Sequence, residues 1–477
     1  MTSRTLALGR PPGGAGTARF RGEGNSLWVL SAAILSIAAG ILTGAAPLVL
    51  VGAVGVGVAT SAFLAVPAMA LLGILAVRSI VDHNELLPFA GSGFTGKINT
   101  AVAVGGGLAL LLTSKRVPAP AVTVPYLLLL GLALLTLPFS EGVSKGGAWM
   151  ALAAMLVIFV LSARVVKDAQ GLQRLVWVVL ASAIIPVGVG LSQVVTGDTF
   201  VRDGGYAAVH GTFGNLNGFA FYLLVVIVLA IVTLLQSQSA ALRAALVVGI
   251  VLASLCFFLT YTRSAWGVAV LVLILLALLQ YRSLMLAGAI GVAVAVLAFP
   301  SVLTTVEGRF SNLSSESQSS DTSSWSWRLD NWTRMFPYAT DNPLFGHGIA
   351  SYPALTFQEF GTSARNFAHI DGAAEGVFAH NDYLSLAVEL GVSGLFLWAM
   401  VLVGLALLMW RARAITEIRA YATAAFVLAV AIIVLSGVDN MQSYTGVMYY
   451  VLALCGAVAG VAARAGTTTP RPRPSVT

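Results

Sequence analysis

Residues 216–235 read LNGFAFYLLVVIVLAIVTLL, an apolar run without a single charge. A helix that is apolar on every side is no surface helix of an aqueous domain. One of about 18 residues spans about 27 Å, close to the hydrocarbon thickness of a bilayer. Working outward, the same pattern recurs at 26–43, 46–61, 62–79, 98–114, 121–138, 146–163, 172–189, 243–260, 265–280, 282–299, 383–408, 420–437 and 444–462. The stretch 46–61 is short for a crossing, and 26–79 reads equally as two long tilted helices. The whole chain has 58% hydrophobic and 9% charged residues, with a mean hydropathy of +0.90. This composition excludes an ordinary soluble domain. The apolar run after Arg4, Arg10, Arg19 and Arg21 is too long, and followed by too many others, for a cleaved signal peptide. The expected fold is an all-α polytopic transmembrane bundle of about 12–14 spans.

The scarce charges set an orientation. With the N-terminus in the cytoplasm, the inside gaps and tails hold 17 basic and three acidic residues, a net +14. The outside gaps then hold nine basic and 16 acidic residues, a net −7. That asymmetry follows the positive-inside rule, so the basic pI needs no nucleic acid as partner. The resulting organisation is a cytoplasmic tail (1–25), membrane helices (26–300), a long extracytoplasmic loop (301–382), further membrane helices (383–463) and a Pro/Arg-rich cytoplasmic tail (464–477). Both cysteines, Cys256 and Cys455, fall in apolar runs and read as small hydrophobes. The five histidines are scattered, and no metal-ligand spacing appears.

Candidate chemistry therefore concentrates outside. The segment 191–215 holds Asp198, Arg202, Asp203, Tyr206 and His210. In the long loop, a serine-rich linker (311–324) precedes Ser326–Phe336, whose aromatic spacing predicts an amphipathic helix near the membrane surface, with Arg328, Trp332 and Arg334 on it. Asp341–Asn342–Pro343 should end that helix, and Gly346–His347–Gly348 reads as a tight turn. Arg263, in Thr260–Tyr261–Thr262–Arg263–Ser264, is either a snorkelling interfacial arginine or a clamp for a diphosphate. His380 is either a structural histidine or a base acting on a sugar hydroxyl. His369, Asp371 and Glu375 are rival acid–base candidates. Asn381 or Asp382 can cap the following helix, and Glu389, seven residues beyond Asp382, either steadies an arginine or packs against a neighbour. His210 and His347 read as turn or supporting residues.

These residues make up four pieces that resemble the O-antigen ligase/polymerase family of bacterial membrane proteins. Thr212–Phe213–Gly214–Asn215–Leu216–Asn217–Gly218 is similar to a family segment entering a mid-chain helix, with Leu216 where the family has Pro. Leu259–Thr260–Tyr261–Thr262–Arg263–Ser264 is similar to its Thr-x-Ser-Arg region, with Thr262 for Ser. Arg328 to Trp332, then Asn342–Pro343–Leu344–Phe345–Gly346–His347–Gly348, resemble a paired motif. His380–Asn381–Asp382–Tyr383–Leu384 with Glu389–Leu390–Gly391 resembles the closing signature.

The resemblance implies a metal-independent, inverting, cofactor-free glycan transfer from a polyprenyl diphosphate-linked donor at the outer face of the bacterial inner membrane. Arg263 and Arg328 would hold the diphosphate, and His380 would orient or deprotonate the acceptor hydroxyl. Arg202, His210, Asn215, Tyr261, Trp332, Arg334, His347, Asn381, Asp382 and Glu389 would line the substrate groove. The acceptor is a lipid-core sugar for a ligase, a lipid-linked repeat for a polymerase, or a protein hydroxyl for a protein O-glycosyltransferase. Membrane lipids and other glycan-assembly proteins are the remaining expected partners. A transporter would instead place charged or broken helices at mid-membrane, where this chain is nearly all apolar.

Overall fold

The computed structural model describes residues 47–82, 94–113, 117–142, 144–202, 206–283, 324–360 and 377–468, with single residues 286, 288, 304 and 307. The expected N-terminal tail, the C-terminal tail beyond Thr468, the span at 26–43, most of the span at 282–299, nearly all of the serine-rich linker, and Asp203, His369, Asp371 and Glu375 lie outside the described residues; residues 464–468, expected in the tail, continue the last helix.

In chain order the helices are α1 (Pro47–Ala65), α2 (Pro67–Arg78), α3 (Phe94–Ala101), α4 (Gly107–Thr113), α5 (Pro120–Thr136), α6 (Lys145–Val165), α7 (Ala169–Ser182) and α8 (Ile184–Thr196). A short antiparallel hairpin follows, β1 (Phe200–Arg202) with β2 (Tyr206–Ala208), in the register Val201 opposite Ala207. Then come α9 (Leu216–Gln236), α10 (Ala240–Leu259), α11 (Arg263–Leu279), α12 (Ser324–Asp341), α13 (Tyr352–Phe360), α14 (Asp382–Ala412), α15 (Arg419–Leu435) and α16 (Thr445–Thr468). Among the described residues, nine helical segments are long and apolar enough to cross a membrane, and three shorter apolar helices accompany them. The all-α polytopic bundle is therefore the observed class, with the hairpin as a small addition.

Two boundaries differ from the hydropathy reading. The break between the early spans falls at Val66, because Pro67 opens α2 where its missing N–H costs nothing. The span expected at 172–189 reaches from Ala169 to Thr196 as two helices that meet at Ala183. Where a polar residue precedes an apolar run, it caps: the side chains of Asp168, Asn215, Ser239 and Asn381 each accept a backbone N–H of the following turn.

Burial sorts the helices into layers. The apolar windows of α9 and α16 are 83% and 89% buried, whereas that of α10 is only 17% buried. The first two form the bundle's centre, and α10 turns most of its surface outward. The α6–α16 contact is close because Gly456 and Gly460 lie against the carbonyls of Phe159 and Ala163, where a β-carbon would collide. Small residues four apart let two backbones approach inside a membrane.

Helix α14 is broken at Gly391, which has φ 65° and ψ −168°. The break leaves backbone groups unpaired, and residues 343–348 fill the vacancy. His347 N–H donates to the Val388 carbonyl (2.9 Å), Gly348 N–H to Glu389 (2.8 Å), and Val392 N–H to Pro343 (2.7 Å). Gly346, at φ 66°, presses against the backbone of Glu389, as Gly391 does against that of Leu344. The expected turn at Gly346–Gly348 is thus also the patch over a helix break, and it fixes the loop helices on α14.

Candidate active site

The candidate site lies at one end of the bundle, where α9, α11, α14 and α16 begin and α15 ends. Its centre is a residue the sequence reading passed over. Asp439, in the turn between α15 and α16, is fully buried, and four donors converge on its carboxylate. Asn217 Nδ2 donates to Oδ2 at 2.9 Å. The Tyr444 hydroxyl (2.7 Å) and the Asn440 N–H (3.0 Å) donate to Oδ1, and His380 Nδ1 lies 3.3 Å from that same oxygen.

Burial alone would raise the Asp439 pKa, but the hydrogen bond and charge of His380, with the Arg328 guanidinium and the Tyr444 hydroxyl, outweigh it and hold the carboxyl below its usual range. An ionised carboxylate only accepts, so His380 Nδ1 carries the proton and Nε2 is left as the basic nitrogen. The same arrangement acts oppositely on Tyr444: burial, then the Asp439 charge, push its hydroxyl well above the usual tyrosine pKa, so it stays a donor.

His380 itself has φ 48°, an uncommon conformation for a non-glycine residue. Helix α12 holds the chain that enters it. Trp332 Nε1 donates to the Ala379 carbonyl at 2.7 Å, and Asn331 Nδ2 to that of Phe378 at 3.4 Å. The Trp327 ring meets the imidazole edge-to-face at 5.8 Å. Beneath these, Met335, Tyr352, Leu355, Ala379 and Val388 form a small apolar core of their own. The helix expected at Ser326–Phe336 and ended by Asp341–Asn342–Pro343 is thus present, and it serves as the brace of the histidine.

Of the two arginines, Arg328 reaches the same turn. Arg328 Nη1 donates to the Val438 carbonyl at 2.8 Å, next to Asp439, while its Nε is buried with no hydrogen-bond partner among the described residues. Arg263 opens α11 directly after Thr262, whose hydroxyl donates to Asn217 Oδ1 at 3.3 Å, and Asn217 in turn holds Asp439. His380 and Arg328 therefore contact residues 438–439 directly, and Arg263 begins its helix one residue after Thr262, which joins the same network through Asn217.

The other expected groove residues are distributed differently. Asn215 and Asn381 cap α9 and α14, and Tyr261 (φ 49°) stands among the rings of Tyr206, Phe258 and Trp266. His210 bonds Gln193 Nε2 (3.0 Å) and the Phe213 carbonyl (2.9 Å), and His347 bonds the Tyr338 carbonyl (2.9 Å). Arg334 pairs with Asp330 at 3.1 Å on the exposed side of α12, and Arg202 lies in β1 opposite Tyr206. Asp382 is buried, accepting from the Ser436 hydroxyl (2.9 Å) and the Gln442 N–H. Glu389 accepts the N–H groups of Ala350 (2.8 Å) and Tyr352 (3.3 Å), so it joins the loop to α14 rather than steadying an arginine. Among the described residues, no group of three or more His, Cys, Asp or Glu is placed to hold a metal ion.

Compared with known proteins, residues 248–399 match the family model described as O-antigen ligase. The match spans Arg263, Arg328 and His380, while Asn217 and Asp439 lie outside it. No curated protein matches the chain significantly. From within α10 to within α14, over roughly a third of its length, the chain is thus similar to the O-antigen ligase family, the family its motifs resemble.

Proposed function

We propose that the protein transfers a glycan from a polyprenyl diphosphate-linked donor to a sugar hydroxyl of a lipid-anchored core, at the extracytoplasmic face of the bacterial inner membrane, with inversion and without a metal. The convergence of His380 and Arg328 on residues 438–439, with Arg263 directly following Thr262 of the same hydrogen-bonded network, is the observation behind this reading. Asp439 accepts the Nδ1 proton, so His380 Nε2 takes the proton of the attacking hydroxyl. The hydroxyl oxygen bonds the anomeric carbon as the bond to the diphosphate breaks on the opposite face, and its electron pair leaves with the diphosphate. Arg263 and Arg328 offset the charge growing there. Two guanidinium groups against a good leaving group remove the need for a Lewis acid.

The asymmetry of basic residues supports the sidedness, with both termini cytoplasmic. The test is the product formed by the purified protein from a polyprenyl-diphosphate glycan, with a lipid-core acceptor or with more donor alone, each with and without chelator. Attachment to the core is expected. Elongation of the lipid-linked chain would make the protein a polymerase, and no product in either arm would overturn the transferase reading.

A further inference from the structure

Arg78 is among the largest fully buried side chains of the protein, and nothing in the proposed reaction uses it. Its Nη1 pairs with Asp82 Oδ1 at 2.7 Å, and its Nη2 donates to Thr445 Oγ1, also at 2.7 Å. The guanidinium carbon lies 5.5 Å from the centre of the Tyr449 ring. Asn99 completes the cluster, with Nδ2 3.5 Å from Thr445 Oγ1 and Oδ1 accepting the Tyr449 hydroxyl at 2.9 Å. Burying an arginine costs several kcal/mol unless its charge and donors are matched, so such a residue is expected where geometry must be held.

What it holds is the turn beside His380. Thr445 is the first residue of α16 and follows Tyr444, the donor to Asp439. The next residue, Gly446, lies so close to the carboxylate that a β-carbon there would come within 2.7 Å of Asp82 Oδ1. Ser79, adjacent to Arg78, accepts the Thr212 hydroxyl on its carbonyl at 2.5 Å. Five residues after Thr212, Asn217 donates to the other oxygen of Asp439. Both side chains that clamp Asp439, Tyr444 and Asn217, thus start from anchor points on the segment 78–82.

We propose that Arg78 is a positioning residue for the site: through Thr445 and Asp82 it sets the start of α16, and thereby the orientation of the Asp439 carboxylate toward His380. The inference rests on the glycan-transfer reading for its kinetic arm and on geometry alone for its second arm. Because Arg78 has no exposure to substrate, its loss acts on the turnover step and leaves donor binding in place. A displacement of the catalytic pair by a fraction of an ångström lowers kcat by about tenfold or more.

The experiment compares Arg78→Met, Arg78→Lys and Thr445→Val, purified in detergent and shown monodisperse, with the unaltered protein. The expected result is a kcat lower by about tenfold in Arg78→Met and Thr445→Val, with donor KM within about twofold and partial recovery in Arg78→Lys. In parallel, carbethoxylation of His380 by diethyl pyrocarbonate, read by mass spectrometry, should quicken in both impaired variants because the imidazole is held less firmly. A rise in KM with kcat unchanged would overturn the proposal by making Arg78 part of donor binding. So would unaltered kinetics and unaltered His380 modification. If Arg78→Met fails to insert, Thr445→Val decides alone, since it removes only the hydroxyl. If the unaltered protein transfers no glycan, the transferase reading fails, and the His380 modification rate still tests the positioning role.

Discussion

The Asp439 carboxylate and the His380 imidazole are 59 residues apart in the chain and 3.3 Å apart in the fold. The carboxylate is wholly buried and the imidazole side chain is 13% exposed, so the histidine is the member of the pair that reaches the surface of the site. The residues that hold the pair come from α9, α12 and the start of α16, which makes the α15–α16 turn the point where the whole end of the bundle is registered.

Replacing Asp439 by Asn keeps the shape and loses the charge. The imidazole then lacks the partner that fixes Nδ1–H, and kcat should fall by about a hundredfold or more, with donor KM little changed. Steady-state kinetics of Asp439→Asn beside His380→Ala checks this, and equal losses with no further loss in the double variant would show that the two act as a unit.

Acid should weaken the site in a predictable direction. Asp439 has a depressed pKa in the folded protein, so its contribution to stability is complete above the unfolded carboxylate value of about 3.9 and is lost as pH falls through the lower folded value. Thermal unfolding between about pH 5 and pH 2 should therefore show an acid-dependent component that Asp439→Asn lacks.

Each arginine is expected to act on the leaving diphosphate. Arg263→Ala and Arg328→Ala should each lower kcat on the order of a hundredfold, about 3 kcal/mol, with membrane insertion intact. Arg328→Lys should recover little, because a lysine supplies one point charge where the planar guanidinium can serve Val438 with Nη1 and present further donors in a fixed fork. Transfer assays on membranes of equal protein content make the comparison.

Trp332 is expected to matter through its indole N–H. Trp332→Phe keeps an aromatic side chain, a smaller one, and loses the bond to the Ala379 carbonyl, which by itself costs about 1 kcal/mol in stability. Its larger effect should be on turnover, about tenfold, because Ala379 leads directly into His380. A loss of melting temperature without a change in kcat would remove the bracing role.

Gly391 and Gly346 should tolerate no side chain. Gly391→Ala places a β-carbon into the backbone of Leu344 at a backbone conformation nearly confined to glycine, a strain of order 1–3 kcal/mol before any clash. Both Gly391→Ala and Gly346→Ala should lower the melting temperature in detergent and loosen the loop helices, seen as faster proteolysis within residues 324–360.

The membrane-spanning class was legible because it depends on composition alone. Many runs such as 216–235, repeated along one chain, are stable together only in a membrane, and that holds whatever each run packs against. Helix starts at Asp168, Asn215 and Asn381 were equally local, since a cap bonds the next turn of its own helix. The helix of the long loop and its stop at Pro343 belong with them. Arg263 and Arg328 stood out as basic residues kept on the acidic outer face, and His380 as the histidine that ends the long loop just before an apolar helix.

The partners of those residues were invisible for the opposite reason. Asp439 sits in Ser436–Gly437–Val438–Asp439–Asn440, a turn with no motif, and Arg78 closes an apolar helix as an ordinary flanking arginine would. Asp439 gains its character from Asn217, 222 residues away, and Arg78 from Thr445, 367 residues away. Glu389, readable as a groove residue, proved to hold the backbone of Ala350 and Tyr352. Sequence alone determined which solvent the chain occupies and which residues are chemically costly to keep. Only tertiary structure decided which of those costs are matched by a partner, because a buried charge takes its meaning from neighbours that helix packing brings together.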